Sequence, residues 1–324
     1  QERLLPDNHS MVCVGNHRFD RAREGYLNLL PVQQKNSLDP GDDAEMVAAR
    51  RSFLEEGYYA PFRDTLKGVI EPLHAGVLLD SGCGEGWYTQ MMREVSSEIV
   101  ALDISKHAVK RAARRMNETT WLVASSNAIP LFDHTVDVMT AIFSPVQVDE
   151  AARVLDEYGT LVIAAPGEKH LWELRDALYP EVRAHEPDKW LDGLASAFTL
   201  QLETALHFTF TLPDNSAVRN LLQMTPHYWR ASRERRAVVE ELPSLTLQAD
   251  FRNPAQVRFP GTSDFVLNVG PYYEKYGFSA RVSYQYRSSW VDGLGTTDVG
   301  GDFYWAQDGE LDVSARYAIT RNIE

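Results

Sequence analysis

The segment Asp80-Ser81-Gly82-Cys83-Gly84-Glu85-Gly86 sets three glycines between acidic side chains. Glycine lets a backbone approach a ligand closely and reach positive φ. A helix starting just after it presents free N–H groups. A further acid, Asp103, ends the next apolar run, Glu98-Ile99-Val100-Ala101-Leu102, where a carboxylate can accept both hydroxyls of a ribose. Dinucleotide loops share this logic but are spaced G-x-G-x-x-G. The spacing here is G-x-G-x-G, and Asp80 and Glu85 stand where a pyrophosphate would lie. Carboxylates repel phosphate and suit a sulfonium and an ammonium group.

Such a loop needs a strand before it and a helix after it. Val77-Leu78-Leu79 is the strand candidate. Further apolar runs follow at 98–102, Trp121 to Ala124, Val136 to Ile142 and Thr160 to Ala165, with helical patterns between them. Ser105 can cap a helix running to Met116. Ala44 to Glu56 and Tyr58 to Ile70 read as earlier helices. Strands alternating with helices predict βαβ units and a parallel, doubly wound sheet, an α/β fold of Rossmann-like type. Ala124-Ser125-Ser126-Asn127 follows the third strand, where an adenine would rest, so Ser126 and Asn127 join the predicted contacts. Ile142-Phe143-Ser144-Pro145 follows the fourth, at the edge where a methyl acceptor arrives. The order of these segments predicts an S-adenosylmethionine site and a methyltransferase around it, with Asp80, Gly82, Gly84, Glu85 and Asp103 on the cofactor.

The bulk composition is compatible. The chain has 324 residues, 44% of them hydrophobic, enough for two domains or one large one. No apolar run is long enough for a transmembrane helix, and the opening Gln-Glu-Arg-Leu-Leu-Pro-Asp lacks the apolar core of a signal peptide. Opening on Gln rather than Met suggests a trimmed chain. Cys13 and Cys83 are the only cysteines, which excludes a disulfide framework and suits a reducing cytoplasm. A net charge of −14 argues against general nucleic-acid stickiness. Local basic patches remain at Lys106 to Arg115 and at Arg230 to Arg236, the second just after Tyr228-Trp229.

Several further segments resemble the bacterial guanine-N1 methyltransferases of 23S ribosomal RNA. They are Arg23-Glu24-Gly25-Tyr26-Leu27-Asn28-Leu29-Leu30-Pro31-Val32-Gln33, Asp39-Pro40-Gly41-Asp42, Glu45-Met46, Ala49-Arg50-Arg51, Pro166-Gly167-Glu168-Lys169-His170-Leu171-Trp172-Glu173-Leu174 and Leu221-Leu222-Gln223-Met224-Thr225-Pro226. The resemblance covers about residues 1–252 and implies a class I S-adenosylmethionine-dependent methyltransferase domain over 37–252. It implies cofactor contacts from Tyr59, from the Gly84-Glu85 pair and from His170. It also implies an N-terminal zinc module for RNA recognition over 1–36, in which Cys13 and His17 match the second ligand pair. The first pair would fall before Gln1, and two ligands do not close a tetrahedral site, so weak or absent zinc is expected.

The implied partner is 23S ribosomal RNA, with no membrane partner for residues 1–252 and with a homodimer left open. The implied location is the cytoplasm. Guanine N1 carries a proton at neutral pH, so a base must help remove it; Asp39, Asp42 and Glu45 are the candidates, each equally suited to a turn or a helix cap. His17, Arg18, Arg21 and Arg23, and Arg230, Arg233, Arg235 and Arg236, are the candidate RNA contacts, with Tyr228-Trp229 placed to stack on an extruded base. The same fold can serve a small-molecule methyltransferase, though such an enzyme would not need a Cys/His module.

From about Asn253 the style changes. Phe278, Ala280, Val282, Tyr284 and Tyr286 alternate with polar residues, as do Leu311, Val313, Ala315, Tyr317 and Ile319; Phe265, Leu267 and Val269 begin a third such run. Alternating strands with aromatic ends are the pattern of a membrane β-barrel, but three strands cannot close one. Phe259-Pro260-Gly261-Thr262, Tyr273 to Tyr284 and Arg316 to Glu324 resemble part of the barrel of a TonB-dependent outer-membrane receptor. The expectation is a β-rich extension over 253–324 and a composite chain joined near Arg252. The competing readings are a natural extension that pairs as a small antiparallel sheet, and a non-enzymatic binding protein derived from a barrel.

Overall fold

The computed structural model describes residues 3–31, 40–185 and 193–252, and beyond them the backbone of 253–258 and of six strands between 266 and 317. The chain divides into two compact units, Gln1–Arg258 and Phe259–Glu324.

The first unit opens with a small antiparallel sheet of β1 (Leu5–Asp7), β2 (Ser10–Val12) and β3 (Arg18–Asp20). The turn joining β2 to β3 carries Cys13 and His17 and is closed by a hydrogen bond from Cys13 N to His17 O at 3.1 Å, with Asn16 at φ 60. There follow β4 (Leu27–Asn28), α1 (Ala44–Glu55), α2 (Ala60–Ile70), β5 (Val77–Ser81), α3 (Trp87–Met92), β6 (Glu98–Asp103), α4 (Lys106–Ala113), β7 (Thr120–Val123), β8 (Val136–Ile142), α5 (Val148–Val154) and β9 (Leu155–Pro166). The unit is completed by α6 (Trp172–Leu178), β10 (Thr199–Leu202), β11 (Ala205–Leu212), α7 (Asn215–Gln223), α8 (His227–Arg230), α9 (Arg233–Glu240) and β12 (Leu245–Arg258).

The large sheet runs β10-β12-β9-β8-β5-β6-β7-β4, with β11 also paired to β12. Strands β4 to β9 are parallel where they pair, while β12 enters antiparallel to β9 and carries β10 and β11 antiparallel beyond it. Parallel strands covered on both faces read as continuous apolar runs, and Leu78, Leu79, Met139, Leu161 and Val162 are accordingly buried. The sheet grows outward from β5, to β6 on one side and β8 on the other. That reversal is the topological switch point, where open α/β sheets bind ligands beyond the strands' carboxyl ends.

Local signals set the helices. Asp43 caps α1 by accepting from Glu45 N and Met46 N, and Ser105 Oγ caps α4 by accepting from Ala108 N at 3.2 Å. The buried face of α4, Ala108, Val109, Ala112 and Ala113, follows the helical period, and the helix packs on β6 and β7. It ends at Ala113, short of the predicted Met116, because the chain must turn there to start β7; Trp121 Nε1 donates to Met116 O at 2.9 Å across that turn. Helix α2 starts at Ala60, so Tyr58 and Tyr59 lie just before it. Strand β9 starts at Leu155, ahead of the predicted Thr160. Strand β12 continues through Arg252 to Arg258, pairing Ala255 with Ile163 and Arg258 with Thr160.

In the second unit, β15 (Phe278–Arg287) pairs antiparallel with β13 (Val266–Val269), β14 (Tyr272–Lys275) and β18 (Asp308–Tyr317). Strands β16 (Trp290–Gly293) and β17 (Phe303–Trp305) pair with each other. Phe259 to Thr262 and the segment 318–324 lie outside the described residues, as does Asp39. Among the described residues no helix is long and apolar enough to cross a membrane.

Candidate active site

A cleft of about 730 Å3 opens at the carboxyl ends of β5, β6, β7 and β8. Its floor is the glycine loop. Gly82 has φ 82, and a Cβ built on it would stand 2.1 Å from Ser144 Oγ. Glycine is therefore required twice over, for the left-handed backbone and for the close approach of the loop after β8. Gly84 N donates to Asp103 Oδ2 at 2.9 Å, and Ser105 N donates to Oδ1 at 2.7 Å. These two N–H groups fix the Asp103 carboxylate on the cleft wall at the end of β6 and leave further lone pairs for hydroxyl groups.

Glu85 is buried beside it. One carboxylate oxygen takes a 3.1 Å ion pair from Arg115, while Oε1 is buried without a hydrogen-bond partner. Burial pushes the Glu85 carboxyl above its ordinary range. Tyr88 Oη is a second buried, unpartnered polar atom on this wall. Such atoms are costly unless a ligand satisfies them. Together with the ribose-binding geometry of Asp103, they fit a polar, partly cationic cofactor of the S-adenosylmethionine type. Ser126 and Asn127, after β7, line the same end of the cleft.

Asp80 is set apart from these groups. It lies under the loop, fully buried, accepting from Thr89 Oγ1 at 2.5 Å and Thr140 Oγ1 at 3.0 Å, and it does not line the cleft. It ties β5 to α3 and β8. Burial pushes its carboxyl up to about 6.

Tyr59 and His170 reach the cleft from elements far apart in the chain. Tyr59 Oη and His170 Nε2 are 3.1 Å apart, both residues being buried. His170 Nδ1 accepts the backbone N–H of Asp250 at 3.3 Å. Burial pushes the His170 imidazole down to about 3, so the ring is neutral. With Nδ1 used as acceptor, its one proton sits on Nε2 and is donated to Tyr59 Oη. The phenol proton, kept in place because burial also raises the Tyr59 ionisation, is then free for an acceptor in the cleft. The 167–170 loop is held by Asp250: Gly167 N donates to its carbonyl at 2.7 Å and Lys169 N to Oδ2 at 2.8 Å. A Cβ on Gly167 would lie 2.2 Å from the Asp250 carboxylate.

The rest of the cleft lining is different in character. It is lined by Phe143, His185, His227, Arg50 and the Met224-Thr225-Pro226 segment. Burial holds His227 down to about 4, and Tyr179 Oη contacts its Nδ1 at 3.0 Å. Arg50 pairs with Asp42 and donates to Met224 O at 3.0 Å, joining α1 to the end of α7. Of the acids predicted as bases, Asp42 lines the cleft, whereas Glu45 is exposed in the first turn of α1 and does not. Phe143 combines φ 53 with a residue exposure of 41%. A left-handed backbone on a bulky residue costs about 1–3 kcal/mol and persists where its surroundings impose it.

Sequence reasoning did not single out Tyr88, Phe143, His185, His227, Arg50 or Asp250 as site residues. Signals existed for three of them: Phe143 lies in the segment after β8, Arg50 in the Ala49-Arg50-Arg51 motif, and His227 next to Met224-Thr225-Pro226. Asp250 carried none, because its role depends on the pairing of β12.

The Cys13–His17 pair sits apart on the β2–β3 turn, Sγ to Nδ1 3.3 Å. Among the described residues no group of three metal-ligating side chains forms. The pair supplies half of a tetrahedral zinc set, so the described residues do not by themselves fit a closed zinc site.

Comparison with known proteins gives two domain matches. Residues 1–38 match the zinc-ribbon family model described as RlmA, N-terminal, and residues 79–163 match the model of a methyltransferase domain. The 23S rRNA (guanine(748)-N(1))-methyltransferase of Streptomyces fradiae is 34% identical over 251 residues, spanning 75% of this chain and 88% of that protein. YxjB of Bacillus subtilis (strain 168), named for the same class of reaction, is 29% identical over 254 residues, 74% of this chain and 88% of its own. A Micromonospora griseorubida protein of that class is 36% identical over 188 residues, covering 52% and 63% respectively.

Proposed function

Because the chain belongs to the 23S rRNA (guanine-N1)-methyltransferase family, we propose that its cleft seats cofactor and target guanine end to end. The enzyme methylates guanine N1 of 23S ribosomal RNA with S-adenosylmethionine, on a Rossmann-like class I fold. The observation that carries the seating is that one continuous cleft is lined by two unlike sets of side chains. Asp103, Gly84 and Glu85 line it, with Asp42 beside them through the 2.6 Å hydrogen bond from Ser105 Oγ to Asp42 O, and Phe143 and His227 line it as well.

S-adenosylmethionine supplies an electrophilic methyl group on a sulfonium. Asp103 accepts from the ribose hydroxyls, and Ser126 and Asn127 border the adenine. Tyr59, backed by His170, would donate a hydrogen bond from its phenol to the carboxylate of the cofactor. Glu85 answers a cationic group with its unpartnered oxygen. Asp80 acts from behind, holding the loop in register.

Of the described candidate bases Asp42 is the one that lines the cleft, and it takes the guanine N1 proton. That proton becomes acidic as the new N–C bond forms, so a carboxylate suffices as base. The Arg50 guanidinium, paired with Asp42 in the free protein, keeps it aimed along the cleft wall. Positioning of the two reactants supplies much of the remaining rate. The basic residues of α8 and α9, with the exposed Trp229, support contact with RNA outside the cleft. A ribosomal RNA substrate supports a cytoplasmic site of action, and light scattering on the purified protein measures whether it forms a homodimer.

The test is methyl transfer from labelled cofactor to unmodified 23S rRNA fragments, with the product mapped by mass spectrometry. N1-methylguanosine at one position is expected. Methylation of another base or another atom overturns the reading.

A further inference from the structure

Phe143 is the one large apolar side chain, among the described residues left exposed, that lines the cleft. It immediately follows β8, and two features hold it in place. Its N–H donates to Ala164 O at 2.9 Å, and the adjacent Ser144 is wedged against Gly82. Its ring rests on Phe62 at 5.3 Å between centroids and on Phe251 at 5.6 Å, tilted by 35° and 43°. Both supporting rings are fully buried. The result is an aromatic ring with a rigid hydrocarbon backing and a free surface turned into a wet cleft, held by a backbone that such a residue does not adopt without external constraint. Simple core packing would have buried it.

Resting on the reading that this cleft takes a guanine, we infer that Phe143 is the platform on which the extruded guanine stacks. A purine is planar, and stacking on an aromatic face recognises it through its π-surface. The guanine edge, with N1, would then face the glycine loop across Ser144, where the methyl group is presented. Asp42 and His227 line the same cleft and carry hydrogen-bonding groups that could meet that edge. Phe143 thus fixes the plane of the base, and the polar residues choose its edge.

The test uses the full chain and an RNA hairpin that the wild-type protein methylates, together with the same hairpin abasic at the target position. Wild type is expected to bind the guanine hairpin about tenfold or more tighter than the abasic one. Phe143→Ala should erase that preference, leave affinity for the abasic hairpin unchanged, and lower kcat/KM by about tenfold to a hundredfold. Phe143→Tyr, which keeps a stacking face, should retain the preference. Binding of S-adenosylhomocysteine, measured by calorimetry on each variant, should stay within about twofold of wild type and shows that the cleft is folded. Equal weakening toward both hairpins, or loss of S-adenosylhomocysteine binding with the fold intact by circular dichroism, overturns the inference. Failure of the wild-type protein to form N1-methylguanosine on any 23S fragment overturns the functional reading beneath it as well.

Discussion

Tyr59 Oη and His170 Nε2 lie 3.1 Å apart although the residues are separated by 111 positions in the chain. The bond has a direction. Asp250 N–H occupies Nδ1 of the ring, so the imidazole donates from Nε2 and the phenol keeps its own proton for the cleft. The order of donors runs from the backbone of β12, through a neutral histidine, to a tyrosine on the wall.

That order predicts a tautomer. Nitrogen NMR of His170 should show Nε2 protonated and Nδ1 bare throughout the neutral range, with no protonation until well below the ordinary histidine range, since burial pushes it down to about 3. The linked stability has a definite sign. A histidine whose folded-state value is depressed favours folding fully above its unfolded value and loses that contribution as pH falls toward 3. A doubly protonated ring at pH 6 would contradict the assignment.

Removing the phenol should weaken cofactor binding without unfolding the protein. Tyr59→Phe deletes one donor and leaves the ring contacts with Phe53 and Phe251 in place. The expected loss is about 1 kcal/mol, near fivefold in the dissociation constant of S-adenosylhomocysteine by calorimetry. An unchanged constant would place the phenol proton elsewhere.

Asp80 should make the cofactor-free protein less stable as pH rises. Its carboxyl is pushed up to about 6 by burial from an ordinary value of 3.8, so the folded state holds a proton that the unfolded state has released. Stability falls across that window as pH rises, by on the order of 2 kcal/mol. Asp80→Asn, a neutral isostere that still accepts a hydrogen bond, should flatten this slope in chemical denaturation series at pH 4 to 7. A wild-type curve parallel to the variant's would refute the shift.

Gly82→Ala should be severe. The new methyl would meet Ser144 Oγ at 2.1 Å from a backbone at φ 82. A destabilisation of about 1–3 kcal/mol is expected, with loss of methyl transfer because the loops after β5 and β8 are forced apart. Thermal melting and activity together check it; wild-type behaviour in both would mean that the two loops separate freely.

Limited proteolysis should cut the chain just beyond Arg258, where the first compact unit ends, and leave a fragment that still binds S-adenosylhomocysteine. Uniform resistance to residue 324 would argue that residues 259–324 are not a separate extension.

Much of the parallel sheet was legible because its signals are local. Buried parallel strands must be continuous apolar runs, so β5 to β9 stand out in the sequence. Asp103 at the end of β6 and the glycines at 82 and 84 lie within one βαβ unit, close enough for spacing alone to bring them together. Ser105 announces α4 by the same local chemistry, a side-chain oxygen meeting the N–H of Ala108.

What the tertiary structure decided depends on pairings between distant segments. Strand β12 enters antiparallel beside β9, opposing Phe251 to Pro166. That pairing brings Asp250 to His170 and sets Phe251 behind Phe143. No local pattern encodes such a register, because it is selected by the burial of a whole sheet face. The glycine loop was read as ringed by three acids facing the ligand; only the packing of Thr89 and Thr140 against Asp80 shows that one of them turns inward. The sequence by itself determined the glycine loop and Asp103, since that part of the cofactor site is built within one stretch of chain, whereas Tyr59 and His170 meet across 111 positions. The acceptor end, assembled from α1, β8, β9 and the α7–α8 link, took shape only when the sheet closed around it.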